Sequence, residues 1–305
     1  MFRPKSVGFI INPHAGSSKS RQWKESILRS VRDTEMFVEI VETHTPEEVG
    51  AVVGRLAREV EAVVAVGGDG TAHSVAQELV GQAVPLGVLP NGSGNDFNRM
   101  LGMPRGIEPG MQLIIQGLER RSIDTGLLVI VAEDGTVHRR CFVNTAGVGF
   151  DAAVAQSKTK IPLLKGLPLY LTSALATLTV FKPLRFGVRH TSGESHEAGM
   201  MVAVGIGQYE GGGFRVFPGA VVDDGLFEVC EIRIDSRLRA LPMLALAVSG
   251  AHVGKAGVLT ERSPMLDVVP ERPVPVHADG EVVCSAAVKV EMSLRPKSLF
   301  VLSPN

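Results

Sequence analysis

Two hydrophobic patterns alternate along the first 120 or so positions. Residues 7–12 form a continuous apolar run ending in Asn12, as expected of a strand buried on both faces. A polar Gly/Ser loop follows, and helical spacing takes over at 19–31. Residues 37–41 predict a second strand. Thr45-Pro46-Glu47-Glu48 then reads as a helix start: Thr45 as N-cap, Pro46 at the first helical position, Glu48 completing a capping box. A third strand, 61–66, runs straight into Gly67-Gly68, and a fourth occupies 84–89. Alternating strands and helices of this kind predict an open α/β sheet that binds ligands at the carboxyl ends of its strands.

The pattern changes after about Ile123. Residues 127–131, a turn at 133–136 and 137–144 read as strand, turn, strand. Further strand-like runs lie at 184–190, 198–207, 226–234 and 282–292, with helical signals near 150–157, 163–180 and 237–254. The expected fold is therefore an α/β open-sheet domain over 1–123 and a β-rich, antiparallel, sandwich-like domain with inserted helices over 124–296. A last strand at 298–302, within 297–305, is expected to return to the first domain. The stretch 161–181 is apolar enough to suggest a membrane span. Pro162, Lys165, Gly166 and Pro168 interrupt it, however, and Leu169, Leu171, Leu175 and Leu178 follow helical spacing. It reads as a buried or surface-docked helix of the second domain rather than a membrane span.

Composition narrows the class. The chain has 305 residues, 45% of them hydrophobic, enough for two packed cores. Its formal charge of -1 lacks the basic excess of a nucleic-acid binder. Cys141, Cys230 and Cys284 are far apart and read as reduced thiols. The N-terminal apolar run is too short for a signal peptide, so a cytoplasmic location is expected.

Chemistry concentrates in glycine loops. Gly67-Gly68-Asp69-Gly70-Thr71 ends one strand and opens a helix, where backbone N–H groups can approach a phosphate. Asp69 would repel a bare phosphate, but suits a lysine, a water or a Mg²⁺ beside one. The structural alternative is a tight turn with Asp69 as the helix N-cap. Pro90-Asn91-Gly92-Ser93-Gly94-Asn95-Asp96-Phe97 repeats the arrangement after the next strand, and Asn12-Pro13-His14-Ala15-Gly16 supplies a third loop. Lys19 and Arg21 follow it as candidate cations, or as ordinary solvated residues at a helix start. There is no Walker A loop and no protein-kinase signature.

Taken in order, these motifs resemble the diacylglycerol-kinase catalytic family of bacterial lipid kinases. The series continues through Arg121 to Asp124 and Gly126, Gly147-Val148-Gly149-Phe150-Asp151, Gly211-Gly212-Gly213-Phe214, Asp223-Asp224-Gly225-Leu226 and Asp279-Gly280-Glu281. The resemblance covers nearly the whole chain. It implies an active site in a cleft between two domains, ATP with Mg²⁺, and phosphoryl transfer to a lipid hydroxyl. Nucleotide contacts would fall on Asn12, Thr43, Gly67, Gly68, Asp69, Gly70, Thr71, Ala72, His73, Ser93, Asn95 and Asp96. Asp279 and Glu281 match the motif that carries the catalytic carboxylate. Asp224 matches a metal-site residue, with the carbonyls of Val221 and Leu226 as co-ligands. The implied partners are a lipid substrate and a transient membrane surface, and a homodimer stays open.

The residue chemistry supports these roles independently, because an alcohol acceptor needs a carboxylate to take its proton. Each Asp-Gly motif also has a plain reading as a turn. The chain departs from the family at His73-Ser74-Val75, where Asn-Glu-Val is usual, at Ser93 in place of Thr, and at Asn98 in place of a small residue. An NAD-kinase-like phosphotransferase shares the GGDGT loop, but its Asn-Glu substrate motif is absent here. An inactive nucleotide- or lipid-binding module is the third alternative, supported only by Ser74.

Overall fold

The computed structural model describes residues 1–13, 20–157, 164 and 166–304. It divides into two compact units, Met1–Ile123 with Lys297–Asn305, and Asp124–Pro296. The first is built from β1 (Ser6–Ile11), α1 (Ser20–Val31), β2 (Phe37–Glu42), α2 (Pro46–Glu59), β3 (Ala62–Gly67), α3 (Asp69–Leu79), β4 (Leu86–Pro90), α4 (Asp96–Leu101) and α5 (Ile107–Gln116). The end of the last strand, β15 (Glu281–Ser303), completes a parallel sheet in the order β15-β4-β3-β1-β2. The continuous apolar runs have the cause expected: every residue of β3 and of β4 is buried. Thr45 caps α2, its Oγ1 accepting from Glu48 N at 3.3 Å, while the Glu48 carboxylate accepts from His44 N at 2.6 Å. That second bond reaches one residue beyond the N-cap, a variant of the expected box.

Register brings the loops together. Ile11 lies opposite Val66, and Gly67 opposite Pro90, so β1, β3 and β4 finish level. The strand order reverses between β1 and β3, where open α/β sheets bind ligands.

The second unit continues β5 (Glu119–Ala132) with β6 (Val137–Phe142), β7 (Thr145–Gly149), α6 (Phe150–Ser157), α7 (Gly166–Val180), β8 (Leu184–His190), β9 (Gly193–Gly199), β10 (Met201–Gly205), β11 (Phe227–Ile232), α8 (Arg237–Ser249), β12 (Val258–Ser263), β13 (Met265–Pro270) and β14 (Val274–Ala278). One antiparallel run reads β12-β11-β10-β7-β14-β15, another β9-β8-β13-β15, and β6 pairs with β5. Leu128, Phe142, Val148, Phe186, Val204, Phe227, Val276 and Val290 fill its main core. A second cluster, including Phe150, Leu178, Met200 and Phe217, lies with α7 and α8. The α/β and β-rich architecture agrees with the sequence reading.

Several boundaries differ. The strand expected over 198–207 is two, β9 and β10, separated at Met200. The polar run of β9 went unread because it pairs on one side only, with β8, and most of its side chains face water. The runs at 282–292 and 298–302 are one strand, β15, with Lys297 in a left-handed conformation at φ 48°. The helix expected over 163–180 is described from Gly166, and Pro162, Leu163 and Lys165 lie outside the described residues. No helix among the described residues is long and apolar enough to cross a membrane.

Candidate functional site

In the first unit the loops after β3 and β4 touch backbone to backbone. A Cβ on Gly92 would lie 2.5 Å from the Gly68 Cα, so a side chain at Gly92 would force the two loops apart. Asn91 N donates to Gly67 O at 2.7 Å. Asn95, left-handed at φ 55°, ties its own loop through Gly92 N and Gly92 O at 3.0 and 2.7 Å. Gly68, not Asp69, is the N-cap of α3. Asp69 reaches across instead, its Oδ1 accepting from Phe97 N at 3.2 Å at the start of α4. That bond links the two loops and leaves a second carboxylate oxygen able to accept or to hold a cation.

The other candidates in this unit distribute as follows. Asn12 N donates to Val66 O and Thr43 N to Ile11 O, so both begin loops at the carboxyl edge of the sheet. Thr71 and Ala72 are buried in the first turn of α3 beside Gly70, and Ser93 is exposed at the tip of the neighbouring loop. Asp96 is buried and ion-paired with Arg99. His73 is also buried, its ring meeting Phe97 edge-on at 5.7 Å between centroids. It packs helix against helix, so a nucleotide would meet the backbone here rather than the imidazole. His14, Gly16 and Lys19 lie outside the described residues. Arg21 is ion-paired with Glu25 on the surface.

In the second unit the two carboxylates of Asp279-Gly280-Glu281 separate in character. Asp279 is left-handed at φ 52°, and its carboxylate accepts from the N–H groups of Val143, Asn144 and Thr145, the shortest at 2.8 Å. It fastens the turn to the segment before β7. Glu281 is half exposed and ion-paired with Arg140 at 2.8 Å. Asp224 accepts from Leu226 N at 3.0 Å and is ion-paired with Arg262. Arg262 thus neutralises one oxygen of the carboxylate that the proposed metal set would use. Asp124 Oδ2 holds the same turn from beneath, accepting from Gly225 N at 2.8 Å.

The second unit also contains an apolar cavity with about 820 Å³ of empty space, open mouth included. Tyr170, Ala174 and Leu178 of α7 and Met243, Leu244 and Ala247 of α8 form part of its wall. Among the described lining residues the carboxylates are Asp151 and Glu210. Both meet His277, whose Nε2 lies 3.3 Å from Asp151 Oδ2 and 3.3 Å from Glu210 Oε1. Burial raises the Asp151 carboxyl above its ordinary range. Burial also pulls the His277 ring down, but the two carboxylates outweigh it and push the ring up to about 10. Sequence reading gave none of these three residues a role: they are 59 and 67 residues apart, and only Asp151 lay in a quoted motif. The available signal was Gly147, where a Cβ would sit 1.6 Å from Asp151 Oδ2.

Comparison with known proteins places the chain. Residues 6–128 match the model of the diacylglycerol kinase catalytic domain, and residues 144–303 that of the YegS C-terminal NAD kinase beta sandwich-like domain. A diacylglycerol kinase of Mycobacterium tuberculosis (strain CDC 1551 / Oshkosh) is 30% identical over 270 residues, covering 88% of this chain and 84% of that one. The chain belongs to the diacylglycerol kinase family. A probable lipid kinase YegS-like of Enterobacter sp. (strain 638) is 25% identical across 97% of this chain and 95% of its own length. Among solved structures, a putative diacylglycerol kinase from Bacillus anthracis str. Sterne superposes with a TM-score of 0.79 at 18% identity, covering 99% of this chain and 96% of that one. Yeast NADH kinase complexed with NADH gives 0.58 at 9%, covering 99% and 84%. These two share the fold. In this family member, then, the glycine loops, the Asp279 turn and the apolar cavity are each built from residues far apart in sequence.

Proposed function

We propose that this chain transfers the γ-phosphoryl group of ATP to the hydroxyl of a lipid, diacylglycerol or a related lipid. The observation that carries this reading is the apolar cavity. Its wall is aliphatic, aromatic and methionine-rich, with carboxylates among the described lining residues at Asp151 and Glu210. It suits an acyl chain, and the family places the chain among kinases.

The glycine loops after β1, β3 and β4 would take the polyphosphate on their N–H groups. Mg²⁺ supplies charge neutralisation on the phosphates when bound, and Asp69 is the residue that would hold it. Glu281 is the carboxylate we assign to the acceptor proton, because Asp279 is committed to three backbone donors. Exposed apolar residues near the ends of α7 and α8, Val180 and Leu238, would meet the membrane surface from which the lipid is drawn.

The test is transfer of label from γ-³²P ATP to a panel of diacylglycerol, monoacylglycerol, sphingoid base and NAD, with and without Mg²⁺. Label is expected in a lipid, with Glu281→Gln slower by roughly 10²–10⁴-fold. Label in NAD and in no lipid would establish the nucleotide-kinase reading instead.

A further inference from the structure

Both carboxylates of the Asp279-Gly280-Glu281 turn are held by one short segment of chain, 140–145. Asp279 takes the N–H groups of Val143, Asn144 and Thr145. Glu281 takes the guanidinium of Arg140, whose Nη2 donates to Oε2 at 2.8 Å. Arg140 lies near the end of β6, just before those three donors. Strand β6 pairs on one side only, with β5, Arg140 standing opposite Leu128. The bonds to Asp279 fix the chain leaving β6 against the turn, and the same register delivers Arg140 to Glu281.

Stability does not explain the pair. The two side chains are 34% and 50% exposed, and ion pairs this open to water contribute little to folding. Arg140 also buries its Nε–H with no acceptor among the described residues, an arrangement that costs folding free energy. What the pair does fix is a direction. A half-exposed glutamate samples many rotamers, and ordering it has an entropic cost. With Oε2 on the guanidinium, one oxygen is committed and Oε1 keeps its lone pairs for another donor. The guanidinium never deprotonates, so it can orient the carboxylate without exchanging a proton with it.

We propose that Arg140 is a positioning residue for phosphoryl transfer: it holds one oxygen of Glu281 so that the other meets the acceptor hydroxyl. As the acceptor oxygen bonds to the γ-phosphorus and the bond from phosphorus to ADP breaks, the hydroxyl proton passes to Glu281 Oε1 and then to water. Arg140 acts through Glu281 alone. The proposal rests on the reading that Glu281 takes the acceptor proton, and it adds the residue that aims it.

The test is a double-mutant cycle at Arg140 and Glu281 in the full-length protein, read as initial rates of label transfer from γ-³²P ATP to dioctanoylglycerol. Arg140→Gln is expected to lower kcat and kcat/KM together by roughly 10–10²-fold, the cost of a misdirected catalytic group. Arg140→Lys keeps the charge without the planar fork and should recover part of that loss. In the Glu281→Gln protein, Arg140→Gln should change the rate by no more than about twofold, because no carboxylate remains to aim. The urea midpoint should not move in any of these variants. A similar loss from Arg140→Gln in both backgrounds, or Arg140→Gln as fast as wild type while Glu281→Gln is slow, would overturn the proposal and leave Glu281 in its role. Glu281→Gln as fast as wild type would remove the assignment of the acceptor proton, and this proposal with it. Absence of label from wild type would remove the diacylglycerol reading on which both stand.

Discussion

A Cβ atom on Gly147 would lie 1.6 Å from Asp151 Oδ2 and 2.8 Å from His277 Nε2, both on buried side chains. Gly147→Ala is therefore expected to displace the Asp151–Glu210–His277 cluster and destabilise the protein by about 1–3 kcal/mol, seen as a lower urea midpoint at unchanged slope. The same cluster gives stability a pH dependence of definite sign. His277 holds its proton up to about 10, against 6.5 for a free side chain, and the Asp151 carboxyl is raised as well. The folded state thus binds more protons than the unfolded state, and stability falls as pH rises through the window from 6.5 to about 10. His277→Gln should flatten the urea midpoint against pH between about 6.5 and 9. The burial-raised Cys230 thiol acts only above its ordinary value of 9.0 and leaves that range clear. A slope unchanged in the variant would assign the effect elsewhere. At the Asp279 turn, Asp279→Asn removes a charged acceptor from three backbone donors and should cost about 2 kcal/mol. Glu281→Gln loses only a half-exposed ion pair and should cost under about 1 kcal/mol. Thermal denaturation of the pair separates the structural carboxylate from the one left for chemistry.

At the scale of elements, legibility in the sequence followed burial. Strands β1, β3 and β4 are buried on both faces, so they read as apolar runs and fixed the glycine loops at their ends. Strand β9 faces water along most of its length and gave no such signal. The carboxylate of Asp69 was legible as a candidate but not its direction, because its partner, Phe97 N, is 28 residues away. The Asp151–Glu210–His277 cluster was invisible for the same reason: only the antiparallel pairing of β7 with β14 brings Gly147 opposite His277. The helix over 166–180 was legible, but its role as a cavity wall was not, since that needs α8 beside it. Arg237 at the start of α8 donates to the carbonyls of Thr179, Val180 and Phe181, which seals the end of α7. Val180 is 72% and Leu238 84% exposed beside this tether. Leu238→Asp should reduce co-sedimentation with phosphatidylcholine vesicles by about tenfold, the value of burying one leucine in lipid. Turnover of a short-chain, monomerically dispersed acceptor should be unaffected. An equal loss in both assays would place Leu238 in the fold rather than at a surface.

Across the whole molecule, the end of the chain is a structural part of its beginning. The last strand passes Lys297 and then pairs with β4, Val301 lying opposite Leu86, while Ser298 O accepts from Gly81 N at 2.7 Å. Leu299, Val301 and Leu302 are fully buried in the first unit, and the Arg120 guanidinium lies 4.3 Å from the centre of the Phe300 ring. Each buried aliphatic side chain is worth about 1.5–3 kcal/mol, so the three together approach the whole stability of a typical domain, about 5–15 kcal/mol. A chain ending at Pro296 would also leave β4 as an unpaired apolar edge, which favours aggregation. The second unit, Asp124–Pro296, keeps all of its own strand pairings in that truncation. Removal of the last nine residues is therefore expected to affect the two units unequally. Amide hydrogen exchange should show β1, β3 and β4 losing protection while β7, β10 and β14 retain it. Dodecanol should still displace a fluorescent apolar dye from the cavity, and ATP binding should be lost. Uniform loss of protection across both units would show that they unfold as one, and would make the cavity depend on the sheet of the first unit for its existence.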